Sequence, residues 1–472
     1  MTSSDRPSAT WRLREGERRA ILIFGDLVAG GLAAFVALAL WAQFDWLGFS
    51  WEFVRVRADW FIFLPLAWLT LNINQYDPRR AASWGQSVRG VLLAAGLGLA
   101  LYTFVYFLPD EPGSLPRRGP LYFLFLATIL TLGWRWLYIR IFTAPAFSRQ
   151  VLIVGAGESG QTILGVIHSL TPAPFHVVGL VDDDPAKQSQ EIVGRHVLGS
   201  SRQLLSIIDR HAVTDLIVAI TGEMRGEMFQ ALLDAQERGI EVVRMPVAYE
   251  ELLNRLPIQH LETDWLLRSF VDQIRVSGFY QVTKRAMDML GAIVGLVMFG
   301  LIFPWAALAI LIESGRPVVF RQERLGRGGQ VFHVLKLRTM VPDAEADGQA
   351  HWAQEGDPRA TTVGRILRRA HLDEFPQFFN VLRGEMSLVG PRPERPELVQ
   401  ELEREIPFYR ARLLVKPGIT GWAQVNYGKG ASIQGSAEKL EYDLYYIKHR
   451  NLLVDVWIVL RTVGAVFGLR GV

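Results

Sequence analysis

The sequence predicts a multidomain membrane protein in three parts: a four-helix transmembrane bundle, an α/β domain on a parallel sheet, and a second α/β domain entered through a membrane-embedded helix. Three observations carry this. Four apolar runs, at roughly 20–42, 59–73, 86–108 and 120–142, occupy the first third of the 472 residues. Strand-like and helix-like stretches then alternate through 149–260. A fifth apolar run, 286–312, has basic residues on both sides.

Half of the residues are hydrophobic, high for a soluble chain, and 14 Trp and 26 Phe suit a membrane interface as well as large cores. The absence of cysteine excludes disulfides, thiolate nucleophiles and cysteine metal sites, and leaves the compartment open. A net charge of +3 names no partner by itself, so local clusters matter more, and no nucleic-acid partner is expected.

Residues 1–19 form a polar tail ending in Arg12, Arg14, Arg18 and Arg19. The run that follows is long enough to span a bilayer, and three more runs after it argue against a cleaved signal peptide. The expected four-helix region is 20–148. Arg79 and Arg80 lie in the second loop with Arg89 at the adjoining start of the third run, and Arg140 and Arg149 stand at and after the end of the fourth run. This tally puts the tail, the second loop and everything after 142 in the cytoplasm. Asp26, inside the first span, is a functional candidate by position, or else an interfacial or helix–helix hydrogen-bond partner.

Within 149–260, RQVLIVGAGESG reads as a strand followed by Gly155, Gly157 and Gly160 at the head of a helix. FHVVGLVDDD is a second strand ending in Asp182, at the offset of a ribose-binding acid. TDLIVAI and IEVVRMP are further buried strands, which makes the alternation Rossmann-like. Either a nucleotide sits on Gly155, Gly157, Gly160 and Asp182, or the fold is retained around an empty or regulatory pocket, the reading preferred here. Tyr280 and Lys284 have the spacing of a short-chain dehydrogenase couple but fall beyond the sheet, so the match reads as coincidence. Residues 261–283 are a linker.

From Met289 to Ile312 the fifth run is almost wholly apolar, with Lys284 and Arg285 before it and Arg316, Arg321, Arg324 and Arg327 after it. A crossing would leave one basic cluster outside. Pro304 removes a helix hydrogen bond. A re-entrant helix resolves the conflict; a fifth spanning helix is the alternative. Two strand-like stretches around Gly326, Gly328 and Gly329 then form a β-hairpin carrying Lys336 and Arg338. Residues 341–357 are acidic and polar and read as a mobile loop over the site. Thr361 or Thr362 caps the helix bearing Arg365, Arg368 and Arg369.

Asp373 and Glu374 follow, ahead of an amphipathic run with Phe375, Phe378, Phe379 and Leu382 at helical spacing. Pro376 falls in a first turn and Gly384 at a helix end. Such an acidic pair can be mere capping. Among arginines it can also move a phosphoryl group: one carboxylate attacks phosphorus, a second holds Mg2+, and guanidinium groups clamp phosphate. The last helix, about 454–468, is apolar apart from Arg461 and is expected to lie on the membrane.

The stretch RILRRAHLDEFPQFFNVLRGEMSLVGPRPERP at 365–396, with FRQERLG at 320–326, LKLRTM at 335–340 and KPGITGWAQVN at 416–426, resembles the signature of bacterial polyprenyl-phosphate hexose-1-phosphate transferases. These are the large monotopic phosphoglycosyl transferases. The resemblance covers roughly 280 to the end, and the preceding part resembles the family's membrane and dinucleotide-fold extension, a fragment of nucleotide-sugar epimerases without their catalytic set. It implies a monotopic catalytic domain over 284–472, at the cytoplasmic face of the bacterial inner membrane. The implied reaction passes hexose 1-phosphate from a UDP-sugar to undecaprenyl phosphate, releasing UMP through a covalent aspartyl-phosphosugar. The product would initiate exopolysaccharide, capsule or O-antigen synthesis.

By the same resemblance Asp373 is the nucleophile, Glu374 with Asp373 holds Mg2+, and Arg368 holds the polyprenyl phosphate. Arg321, Gln322, Arg324, Lys336 and Arg338 lie near the diphosphate or lipid headgroup. Pro391, Arg392 and Pro393 shape the substrate site, and Thr420, Gln424 and Asn426 meet nucleotide or sugar. A homodimer is implied. Two positions depart from the pattern: Gly300-Leu301 replaces a Ser-Pro break, with Pro304 a turn later, and His371 replaces a small hydroxyl residue. The alternative function is a membrane-tethered nucleotide-sugar epimerase or dehydratase working through the sheet domain. A non-enzymatic nucleotide-sensing scaffold is the third.

Overall fold

The computed structural model describes residues 15–45, 48–76, 81–106, 118–142, 149–261 except 172, 174, 223 and 225, 277–341, 357–428 and 432–466. The chain divides into two compact units at 245/246.

In the first unit the apolar runs become α1 (Glu15–Asp45), α2 (Trp51–Val56), α3 (Ala58–Leu71), α4 (Trp84–Tyr106) and α5 (Arg118–Phe142). Segments of α1, α4 and α5 are long and apolar enough to cross a membrane. The second expected span is shorter. Arg57 separates α2 from α3, and the 14 residues of α3 rise only about 21 Å, against a hydrocarbon core of about 30 Å. Small residues let the helices close up: Ala33, Ala34 and Ala37 of α1 meet Trp68 of α3 and Phe123 and Ala127 of α5. Asp26 resolves as a helix-pair contact, its carboxylate 2.6 Å from Arg135 of α5 with both side chains buried. Trp68 Nε1 donates to Thr131 Oγ1 at 2.9 Å in the same layer.

The sheet comprises β1 (Arg149–Val154), β2 (Phe175–Val181), β5 (Asp215–Val218) and β6 (Glu241–Arg244), all parallel in the order β2–β1–β5–β6. A small hairpin, β3 (Glu191–Ile192) and β4 (Arg195–His196), stands apart. Helices α6 (Glu158–Ser169), α7 (Leu204–His211) and α8 (Gly226–Glu237) alternate with the strands, as expected. The core joins Leu152, Val154 and Leu216 of the strands to Ile207, Ile208 and Leu232 of the helices.

The second unit opens inside α9 (Met245–Leu253). Residues 246–260, grouped with the sheet in the sequence reading, bond here instead: Glu250 to Lys448 at 2.7 Å, Leu256 N to Glu441 O at 3.2 Å, and Trp422 Nε1 to Asn254 O at 2.9 Å. The linker residues 262–276 lie outside the described residues. Next comes α10 (Gly278–Ser314), one helix of 37 residues with Pro304 inside it. It is tied down along its length. Arg285 donates to the Val381 and Leu382 carbonyls at 2.8 Å. Asp288 accepts from Ser387 Oγ and Leu388 N at 2.9 Å. At the far end Glu313 accepts from Thr362 N at 2.6 Å and Val363 N at 2.9 Å. The opposite side of the helix exposes Leu290, Val297, Leu301, Trp305 and Ile312.

The expected hairpin is β7 (Val319–Leu325) against β8 (Val331–Leu337). Then follow α11 (Thr362–Arg369), α12 (Gln377–Arg383), β9 (Ser387–Val389), α13 (Pro396–Glu405), β10 (Gly418–Thr420), α14 (Trp422–Asn426), α15 (Ile433–His449) and α16 (Leu452–Val466). β9 and β10 pair in parallel. The acidic loop lies largely outside the described residues, at 342–356.

Candidate active site

Thr361 caps α11, its Oγ1 accepting from Gly364 N at 2.9 Å. The helix ends at Arg369, and a left-handed His371 turns the chain into a 3-10 turn, Leu372–Glu374. Pro376 starts α12 and a left-handed Gly384 ends it. Phe375, Phe378 and Leu382 face the core, whereas Phe379 is exposed. The turn thus holds Asp373 and Glu374 against β8, between α11 and α12.

Glu374 is saturated. Its Oε1 is 3.1 Å from Lys336 Nζ, and Arg392 donates to both of its oxygens, one bond at 3.3 Å. Burial opposes its charge, but Arg392 and Lys336 outweigh burial and hold the carboxyl far below the usual carboxylate range. Asp373 is the reverse case. It is only 7% exposed and, among the described residues, makes no hydrogen bond or ion pair. Burial first, then the Glu374 charge, push its carboxyl up; Lys336, Arg368 and Arg392 pull against that. Burial also pulls the Lys336 ammonium down, opposed by Glu374. Arg368 is held by one side-chain bond, Nε to Thr339 Oγ1 at 2.8 Å.

Arg392 stands on a fixed segment. The Pro391 carbonyl accepts from Gly418 N at 2.9 Å, Arg392 O from Arg412 Nη2 at 3.0 Å, Pro393 O from Arg324 Nη1 at 3.2 Å, and Glu394 O from Leu325 N at 3.0 Å. Gln322 Oε1 in turn accepts from Arg324 at 2.6 Å. Burial draws the Arg324 guanidinium down to about 10 despite Glu394 nearby. Gly418 and Gly421 act by close approach: a Cβ would fall 2.1 Å from Gly390 N at the first and 2.3 Å from Gly390 O at the second. Neither adopts the positive φ that a tight turn would demand.

The structure therefore gathers Asp373, Glu374, Lys336, Arg368 and Arg392, with Arg324, Gln322, Pro391 and Pro393 behind them. Arg338 is directed elsewhere. It is buried and donates to Arg316 O at 2.7 Å and Ser314 Oγ at 3.0 Å, at the carbonyl-rich end of α10, where a cation is favoured. Thr420 pairs with Thr462 at 2.6 Å, Gln424 Nε2 donates to Ile419 O at 3.0 Å, and Asn426 accepts from Arg461 at 2.6 Å. Arg321 is exposed on β7. Two supporting residues were not singled out in the sequence: Arg412, which also bonds Asp443 at 2.8 Å, and Thr339, although Thr339 lies inside the LKLRTM run.

Among the described residues no group of three His, Asp or Glu is placed to hold a metal. Asp373, whose oxygens have no partner among the described residues, could serve a hard divalent cation that takes its other ligands from diphosphate and water; Glu374 would first have to give up a bond to Lys336 or Arg392.

In the first unit Gly155 takes a φ of +109°, and a Cβ on Gly160 would fall 2.0 Å from Gly155 O. Asp182 accepts from Ala156 N at 2.7 Å and Asp184 N at 2.9 Å. Burial opposes its charge, but these donors and Lys187 hold its carboxyl below the ordinary value. The acid thus braces the glycine turn. Gly157 has open space around its Cα. Tyr280 and Lys284 sit in the second unit, both bound to Asp455, at 2.7 and 3.0 Å.

Comparison with known proteins fits this geometry. Residues 279–469 match the bacterial sugar transferase family, and residues 73–246 match a CoA-binding domain. The UDP-N-acetylgalactosamine-undecaprenyl-phosphate N-acetylgalactosaminephosphotransferase of Aeromonas hydrophila is 40% identical over 251 residues, 52% of this chain and 58% of that protein. This chain thus covers under two thirds of that relative's length. The UDP-glucose:undecaprenyl-phosphate glucose-1-phosphate transferase of Caulobacter vibrioides is 45% identical over 182 residues, 38% of this chain and 68% of that protein. The undecaprenyl-phosphate glucose phosphotransferase of Komagataeibacter xylinus is 29% identical over 390 residues, 80% of this chain and 70% of that protein. Among solved structures, UDP-D-quinovosamine 4-dehydrogenase from Vibrio fischeri matches 25% of this chain and 98% of that one, at 22% identity and a TM-score of 0.20, too low to carry an argument. On the catalytic-domain match and the Caulobacter relative, the chain belongs to the bacterial sugar transferase family.

Proposed function

We propose that this chain transfers a sugar 1-phosphate from a UDP-sugar to polyprenyl phosphate, with release of UMP. The observation that carries the reading is Asp373: buried, without a hydrogen-bond partner among the described residues, and beside three cations and a neutralised Glu374. An attacking carboxylate needs its lone pairs free and its charge supported at a distance. An Asp373 oxygen attacks the phosphorus next to the sugar. The bond from that phosphorus to the UMP oxygen breaks, and UMP leaves with the electron pair. An oxygen of the lipid phosphate, held by Arg368, then attacks the same phosphorus, and Asp373 departs as a carboxylate. Lys336 and Arg392 meet the diphosphate charge. Asp373, and Glu374 if it releases Lys336 or Arg392, would hold Mg2+, which when bound would neutralise diphosphate oxygens. Arg324, Gln322, Pro391 and Pro393 keep Arg392 in place.

The same reading makes α10 a re-entrant element on the cytoplasmic face of the bacterial inner membrane. Arg285, near the start of α10, is held by the last carbonyls of α12, and Glu313, at its end, by the first N–H groups of α11. Contact of both helix ends with one unit supports entry and exit on the same face. The exposed apolar side would face lipid, and a product made there would begin surface-polysaccharide assembly.

The test is Asp373→Asn in purified membranes. UMP release should fall about a thousandfold or more. Acid quenching of wild-type protein with UDP-sugar should leave a phosphosugar mass on the Asp373 peptide. Near-normal release by the variant, or an adduct on another residue, would overturn the assignment.

A further inference from the structure

We propose that Thr339 is a positioning residue that selects how Arg368 grips the acceptor phosphate; the proposal rests on the role given to Arg368 above. Thr339 lies two residues past β8 and is buried. It meets α11 at three points. Its carbonyl accepts from Thr361 N at 3.1 Å, at the start of the helix. Gly364 packs on it so tightly that a Cβ would fall 2.1 Å from Thr339 O. Its hydroxyl accepts from Arg368 Nε at 2.8 Å, one turn further on.

The third contact has a chemical consequence. A guanidinium offers five N–H groups in one plane, and two of its edges can hold a phosphate with two parallel bonds. One edge uses Nε with a terminal nitrogen; the other uses both terminal nitrogens. With Nε bound to Thr339, only the second edge remains, and the plane of the group is fixed. Among the described residues Arg368 has no carboxylate ion-pair partner to compete for that edge. A threonine here thus gives the arginine one orientation toward an anion beside Asp373.

The experiment compares the full-length wild type, Thr339→Val and Thr339→Ser with the UDP-sugar that the wild type turns over fastest. Three quantities are read: KM for a short polyprenyl phosphate, KM for the UDP-sugar, and exchange of labelled UMP into UDP-sugar without acceptor. Valine keeps the shape and loses the acceptor, so the polyprenyl-phosphate KM should rise about tenfold or more, as for one lost bond to a charged donor. The UDP-sugar KM and the exchange rate should stay put, and serine should restore the acceptor KM. An unchanged acceptor KM, an equal rise in donor KM, or a serine variant as poor as valine overturns the proposal. If the valine variant fails to fold, Thr339→Ala carries the same expectations. Absence of exchange in the wild type would sink the covalent reading, while the acceptor KM would still decide on Thr339.

Discussion

Gly364→Ala tests how α11 is set against the end of β8. The added Cβ would fall 2.1 Å from the Thr339 carbonyl oxygen and 2.7 Å from its carbon. A comfortable carbon–oxygen contact is about 3.3 Å or more, so α11 must retreat by about an ångström. The carbonyl cannot swing aside, because it is backbone and already binds Thr361 N. Such overpacking costs about 1–3 kcal/mol. The retreat also carries Arg368 away from Asp373, and a misplacement of about 1 Å in a substrate-holding group costs on the order of a hundredfold in rate. Steady-state UMP release and thermal unfolding, measured on the same preparations, separate the two effects. The expected result is a loss of on the order of a hundredfold in kcat/KM for the acceptor, with a fall of a few degrees in unfolding temperature. Wild-type turnover at an unchanged unfolding temperature would refute the packing argument.

Adduct formation from UDP-sugar alone should fade on acidification while the pH is still above the ordinary carboxylate range of about 4, because burial and Glu374 raise the Asp373 carboxyl and only the ionised form attacks. An acid limb at or below that range would contradict the assignment. Asp26→Asn leaves Arg135 buried without its partner and should cost about 3–5 kcal/mol of stability; the paired Asp26→Leu, Arg135→Leu variant should unfold at a higher temperature than Asp26→Asn. Equal unfolding temperatures for Asp26→Asn and wild type would show that this ion pair does not hold α1 to α5. Arg412→Met strands Asp443, whose carboxyl burial already pushes up to about 6, and frees the Arg392 carbonyl. Adding Asp443→Leu should restore stability without restoring turnover; recovery of both would separate Arg412 from the site.

Much of the site could be read from local spacing. The acidic pair, Pro376, Gly384, the Thr361 cap and the hairpin all depend on neighbours within a few residues, which a linear reading captures. Lys336, expected on a hairpin strand near the diphosphate or lipid headgroup, does lie inside a regular strand, and its ammonium reaches Glu374. Arg338 was not, since β8 ends at Leu337 and its alternation no longer governs the next side chain. Thr420 and Gln424 look like ligand-facing polar groups in the sequence; in the fold Thr420 pairs with Thr462 and Gln424 gives its amide N–H to Ile419 O, while Gln424 Oε1 is buried without a partner among the described residues. The roles of Arg412 and of Thr339, the latter inside the LKLRTM run, could not be read because their partners are 20 and 29 residues away. The reassignment of residues 246–260 has the same origin: Glu250 meets Lys448 across 198 residues.

The four tethered carbonyls from Pro391 to Glu394 carry a genetic consequence. Their donors come from Leu325, Arg324, Arg412 and Gly418, sites scattered from 324 to 418. Lesions at any of them should converge on one phenotype, an enzyme that retains its nucleophile but presents Arg392 askew. A screen for such lesions should recover mutations dispersed along the chain, and second-site suppressors clustered around this one short segment.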